Sequence, residues 1–192
     1  MELKKAINDR HSIREFESKR VPRKIINKII SDAVKAPSAA NSQPWEFHVI
    51  DNEKITDKIR REHSKLLITQ KKDFETLEKK IKEIAKTFYG NLGNCKTIIL
   101  IYIPKEKDEF LRMNRFLSVA AAIENLMLSA VEENLGTCWM GSFRKIEKEI
   151  NKITKVKDKE LVAGILIGYP KKGYKSVERK RKKLNEVLKF IK

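Results

Sequence analysis

Cysteine is almost missing from this chain. Cys95 and Cys138 are the only two in 192 residues, they form no C-x-x-C, and His11, His48 and His63 are the only histidines. No zinc-ligand spacing can be assembled from so few donors, so no metal site is expected. Long apolar runs are missing too: nothing nears the roughly 18 residues that a bilayer span requires, and Met1-Glu2-Leu3-Lys4-Lys5 has no signal-peptide core. A soluble, cytoplasmic protein without a membrane partner is the expectation. Glycine is scarce, at seven residues, and no G-x-G-x-x-G follows a strand. There is no P-loop, no serine in a G-x-S-x-G, and neither cysteine has a nucleophile context. Rossmann dinucleotide binding and hydrolase chemistry therefore have no support. If the chain is an enzyme, a cofactor carries the chemistry. With no repeat, no low-complexity linker and 41% hydrophobic residues, one domain spanning residues 1–192 is expected.

What the chain has in excess is positive charge: 43 Lys and Arg against 26 Asp and Glu, a net +17. A surplus of that size raises a reading from another class, a basic nucleic-acid-binding or scaffold protein without cofactor. The lysines are spread over every segment and interleaved with glutamate, as from Glu75 to Lys86, which reads as solvated helix faces. Only Lys171 to Lys183 is a basic cluster, so no nucleic-acid partner is expected. Few Gly, few Cys and many Lys and Glu also match the composition of high-temperature proteins.

The stretch Ala36 to Trp45, A-P-S-A-A-N-S-Q-P-W, organises the rest. Ahead of it Ile25, Ile26, Ile29, Ile30, Ala33 and Val34 recur at helical spacing, and behind it Trp45, Phe47 and Val49 alternate as in a strand. Between them Ser38, Asn41, Ser42 and Gln43 offer more hydrogen-bonding groups than a connector requires. The plain alternative is a loop that satisfies only its own backbone.

Elsewhere the pattern predicts a short helix over residues 2–10 with Leu3, Ala6 and Ile7 on one side. An extended piece follows, in which Arg10, Ser12 and Arg14 point one way and His11 and Ile13 the other. Two guanidinium groups around a hydroxyl make an anion site; a solvated basic strand is the alternative. Residues 53–89 read as two charged helices that cover a core and rim a pocket, marked by Ile55, Ile59, Leu66 and Leu67, then by Phe74, Leu77, Ile81, Ile84, Ala85 and Phe88, with Gly90 and Gly93 breaking the second. Thr97 to Ile103 and Leu161 to Ile167 read as interior strands. Leu117 to Leu135 is the most hydrophobic helix, capped by Gly136. Its Ala120, Ala121 and Ala122 make it a dimer seam or a monomer core helix. Thr137 to Ser142 opens, with Ser142 as cap, into a helix carrying Phe143, Ile146 and Ile150. The chain closes on Leu184, Val187, Leu188, Phe190 and Ile191, an apolar tail that needs a place to be buried.

Three separated motifs, R-H-S-I-R-E-F at 10–16, A-P-S-A-A-N-S-Q-P-W at 36–45 and G-T-C-W-M-G-S-F at 136–143, followed by I-G-Y-P at 167–170, together resemble the nitroreductase family of FMN enzymes. The resemblance covers nearly the whole chain in the same order. It implies an α+β fold, a mostly antiparallel central sheet flanked by helices, in a homodimer whose two sites are shared between subunits. It implies FMN as cofactor, NADH or NADPH as reductant, and a nitroaromatic, quinone or similar two-electron acceptor in a ping-pong cycle. A specialised reductive flavoenzyme of dehalogenase type on the same scaffold is the alternative. By this resemblance Arg10, His11 and Ser12 hold the phosphate side, while Arg14 lies by the ring edge and tunes it. Pro37, Ser38, Ala39 and Asn41 arrive from the partner subunit. Trp139 to Ser142, with Met140 between, lie along the ring and can offer backbone N–H to its N5, with Gly141 allowing close approach. Arg181 and Lys183 close on the phosphate from the tail. The usual proline after the tail's Arg-Lys pair is missing here, and residues 53–89 carry no motif that aligns.

Overall fold

The computed structural model describes residues 2–69, 75, 79–176 and 180–191. At its centre β2 (Thr97–Pro104) lies between β1 (Glu46–Ile50) and β4 (Lys159–Gly168), and β3 (Gly136–Met140) pairs with the far edge of β4. All three pairings are antiparallel. β2 is apolar at nearly every position because both of its faces are covered. Ile98, Leu100 and Tyr102 enter one buried cluster, and Ile99, Ile101 and Ile103 enter another. The fold is α+β, with a helical layer on each side of one sheet.

One layer consists of α2 (Arg23–Ala33) and α6 (Glu109–Glu132). α2 begins after Pro22 and buries Ile26, Ile29 and Ala33, the spacing of a single helical face. α6 starts earlier than its apolar pattern suggests, because Asp108 caps it by accepting from the Leu111 backbone N–H at 2.8 Å. Ala122, Ile123, Leu126 and Ala130 of α6 are fully buried against the sheet and α2. The other layer holds α3 (Glu53–Ser64), α4 (Leu66–Thr69), α5 (Lys79–Asn91), a 3-10 segment at Gly141–Ile146, and α7 (Glu147–Thr154). Among the described residues there are two further short helices, α1 (Leu3–Asp9) and α8 (Leu184–Val187).

Several sequence expectations are corrected by this arrangement. In α1 only Ala6 is buried, while Leu3 and Ile7 face solvent. Trp45, just before β1, and Phe47 pack on the core but Val49 is exposed, and Ile50 is buried on the opposite face. Gly90 does not break α5, which continues to Asn91. The turn comes at Gly93, whose φ of 62° favours glycine and whose N–H donates to the Asn91 side chain. Gly136 is not the cap of α6, since Asn134 takes the left-handed position (φ 58°) and Gly136 already belongs to β3. Ser142 caps no helix and lies inside the 3-10 segment. Phe74 and Leu77 lie outside the described residues. The apolar tail stays exposed in the single chain, with Phe190 at 85% and Ile191 at 99% of full exposure.

Candidate functional site

The site begins with residues 10–17, extended as the sequence implies but tied into the fold by single bonds. Ile13 N–H donates to Thr137 O at 2.9 Å, Phe16 N–H to Gly93 O at 2.9 Å and Glu17 N–H to Tyr169 O at 2.9 Å. Ile13 and Phe16 are buried, which fixes the face that Arg14 presents. Arg14 Nη1 donates to Ser12 O at 3.3 Å, and its guanidinium lies 5.8 Å from the centre of the Phe88 ring on α5. Tyr174 Oη donates to the same Ser12 carbonyl at 3.3 Å, and the Tyr174 ring stacks on His11.

Arg14 forms part of the wall of a cavity of about 1230 Å³. β3, beside which residues 12–13 are bonded, and its exit line the same cavity with Trp139, Met140, Gly141 and Ser142, as do Phe88 and Tyr89 of α5. Such a space is ample for a cofactor with a second ligand beside it. Trp139 is 38% exposed, unusual for an indole on a strand, and that exposed area faces the cavity. A Cβ built on Gly141 would meet nothing within 4 Å, so the backbone there is open to a flat ligand. Lys171 and Lys175 add positive charge at the same cavity, with Lys171 paired to Glu15 at 3.1 Å.

Of the residues singled out from sequence, Arg14, Trp139, Met140 and Gly141 therefore share one cavity. His11 and Ser12 reach it through Tyr174. Arg10 does not converge with Arg14: its Nε lies 3.4 Å from Glu124 Oε1 of α6, because the chain turns from helix to extended backbone at that residue. Pro37, Ser38, Ala39 and Asn41 lie away from this cavity, on a loop held in a fixed shape. Ala39 N–H donates to Ser118 Oγ at 3.2 Å and Gln43 N–H to Ser38 Oγ at 3.0 Å. Ala40, Asn41 and Gln43 all have positive φ, a strained set for non-glycine residues that persists only where the surroundings hold it. Arg181 and Lys183 are exposed on the tail and do not line the cavity.

Phe88 and Tyr89 line the cavity, as the pocket-rimming role expected of residues 53–89 implies, whereas sequence reasoning missed Tyr174 and His63. That histidine is fully buried on α3, with Nε2 2.9 Å from Ser142 Oγ. Cys138 lines the cavity but is buried, and burial pushes the Cys95 thiol up to about 12. No thiolate nucleophile exists at Cys95. Among the described residues no three His, Cys, Asp or Glu side chains gather as a metal site, and no helix is long and apolar enough to cross a membrane.

The fold and site define an α+β ligand-binding protein whose cavity has aromatic and cationic walls and one backbone stretch left bare. The family model "Nitroreductase family" matches residues 7–169, and the chain belongs to that family. The putative NAD(P)H nitroreductase YfhC of Bacillus subtilis is 27% identical over 88% of this chain and 84% of its own length. The iodotyrosine deiodinase of Hydra vulgaris is 26% identical over 95% of this chain and 70% of its own. Among solved structures, a BluB-like flavoprotein from Clostridium difficile is 28% identical, with a TM-score of 0.73 and complete coverage of both chains. The FMN-dependent nitroreductase NfnB of Mycobacterium smegmatis, solved with NADPH, shares the fold at a TM-score of 0.79 and 16% identity, covering 98% of this chain and 97% of that one.

Proposed function

We propose that the chain, as one domain over residues 1–192, is an FMN-dependent oxidoreductase. It would take hydride from NADH or NADPH and pass two electrons to a small acceptor such as a nitroaromatic or a quinone. The observation that carries the reading is the shared cavity of Arg14 and Trp139–Gly141, the two motifs implied to flank the isoalloxazine ring. The residues fit that group. Trp139 and the bare Gly141 backbone suit a flat ring, and Arg14 supplies a positive charge beside it. Bound FMN would supply the hydride-accepting ring.

The chain's own residues bind and tune. Arg14, held by the Ser12 carbonyl and Phe88, keeps a fixed positive charge at the wall and so favours an electron-rich ring over a neutral one. Tyr174 braces the same segment. Phe88 and Tyr89 limit water on the side where an acceptor would stack.

We also infer a homodimer with composite sites. The loop 37–43 and the cations Arg181 and Lys183 find no place at their own chain's cavity, so a second copy would receive them. Apolar surface is available for that contact. Phe110, Leu111, Met113 and Leu117 on α6 are exposed, as are Leu184, Val187 and Leu188 of the tail. A cytoplasmic location is part of the proposal.

A second reading, reductive dehalogenation on the same scaffold, is favoured by the deiodinase likeness over 95% of the chain. Anaerobic reduction by NADH or NADPH, followed by a panel of nitroaromatic, quinone and halotyrosine acceptors, tests both. Bleaching of bound FMN and reoxidation by nitroaromatics or quinones supports the first; reoxidation by halotyrosine with halide release supports the second. A protein that takes up no FMN contradicts both.

A further inference from the structure

His63 has no part in the reading above, yet it stands directly behind the cavity wall. It is fully buried between the rings of Tyr89, at 4.5 Å, and Phe143, at 5.3 Å. Its Nδ1 lies 3.2 Å from the Tyr89 carbonyl oxygen and its Nε2 2.9 Å from Ser142 Oγ. A carbonyl oxygen only accepts, so Nδ1 carries the ring proton. Burial pushes the pKa of His63 down to about 4, which keeps the ring neutral and leaves a lone pair on Nε2. Nε2 is thus the acceptor, and the Ser142 hydroxyl gives its single hydrogen to it. Only lone pairs remain on Ser142 Oγ, and Ser142 lines the cavity next to Gly141.

We propose that His63 is a positioning residue that holds Ser142 as a pure hydrogen-bond acceptor in the cavity wall, so that the site favours a bound flavin bearing a ring N–H, the reduced form, over the oxidised one. The proposal rests on the FMN reading. Two-electron reduction by hydride changes a flavin ring nitrogen from a lone-pair acceptor into an N–H donor. A serine hydroxyl that offers only lone pairs matches the donor and opposes the acceptor. A serine free to rotate would serve both forms equally. Removing the constraint therefore shifts the balance between the two redox states more than it alters packing.

Three measurements on the full chain test this. FMN titration of the apoprotein comes first. Nitrogen NMR of the apoprotein then reports the His63 tautomer, with the proton expected on Nδ1. Potentiometry of the FMN-loaded protein follows. Ser142→Ala should lower the reduced-to-oxidised affinity ratio about tenfold, which is about 30 mV for two electrons. His63→Phe should shift the potential in the same direction. His63→Gln, whose carboxamide oxygen can accept the Ser142 hydrogen, should restore most of the ratio. A proton on Nε2, or a Ser142→Ala potential that is unchanged or raised, overturns the proposal, and Ser142→Ala decides the matter should His63→Phe fail to fold. Failure to take up FMN removes the underlying reading and this one with it. Uptake with an unmoved potential removes this one alone.

Discussion

Gly136 lies so close to Ile13 that a Cβ added to it would stand 2.3 Å from Ile13 Cγ1. That contact, with the bond from Ile13 N–H to Thr137 O, seats the Arg14 segment on β3 and sets its distance from Trp139. Gly136→Ala is expected to cost about 1–3 kcal/mol of stability, the usual range for overpacking. It should also weaken FMN binding, because Ile13 and then Arg14 must move. Chemical denaturation and FMN titration check this; full stability with unchanged affinity would show that the segment is not seated by that contact.

Where a pattern reported directly on packing, the sequence was informative. The unbroken apolar runs of β2 and β4 mark strands covered on both faces, and the spacing of Ile26, Ile29 and Ala33 marks one helix face. What stayed hidden depends on contacts between distant residues. Gly136 looks like a helix cap until Ile13 is seen against it. Ser142 sits where a capping serine belongs, and only the fold brings His63, 79 positions away, to its hydroxyl. Arg10 and Arg14 share strand parity, but the end of α1 turns Arg10 toward Glu124. The polar loop at 37–43 was conspicuous in sequence, whereas its strained backbone and its tie to Ser118 were not. The tail's apolar residues signalled a need for burial that a single chain leaves unmet.

Arg14→Gln is expected to lower the midpoint potential of bound FMN while barely changing the affinity for oxidised FMN. The guanidinium charge interacts mostly with the anionic reduced ring. Loss of about 1.4 kcal/mol of that preference would move the two-electron potential by about 30 mV. An unchanged or raised potential would place Arg14 away from the ring.

His63 makes stability depend on pH. The unfolded chain protonates this residue near the ordinary 6.5, whereas the buried ring resists protonation until about 4. Its contribution is intact above pH 6.5, falls as pH drops toward 4, and changes no further below that. The full loss is on the order of 3 kcal/mol. Denaturant melts of the wild type and of His63→Phe across this range check it: the variant should lack this part of the slope, and parallel curves would contradict the assignment.

In the free chain Arg10 pairs with Glu124 at 3.4 Å; on the reading that it turns to the phosphate when FMN binds, Arg10→Ala is expected to weaken FMN binding about ten- to a hundredfold by removing a charge-assisted contact. Riboflavin, which has no phosphate, should bind both proteins alike. Equal losses for the two ligands would leave Arg10 as the partner of Glu124 and nothing more.

The most direct measurement of the whole account is recovery of FMN sites in mixed dimers, because it requires both the cofactor and a cavity completed by a second copy. Arg10→Ala and Asn41→Ala are made separately, with FMN held at a concentration where neither variant is occupied. Equal amounts, differently tagged, are then unfolded together and refolded. In a mixed dimer one site carries both lesions and the other carries none. Random pairing makes about half the dimers mixed, so about a quarter of all sites should regain wild-type FMN binding. No recovery, in mixed dimers isolated by both tags, would contradict it.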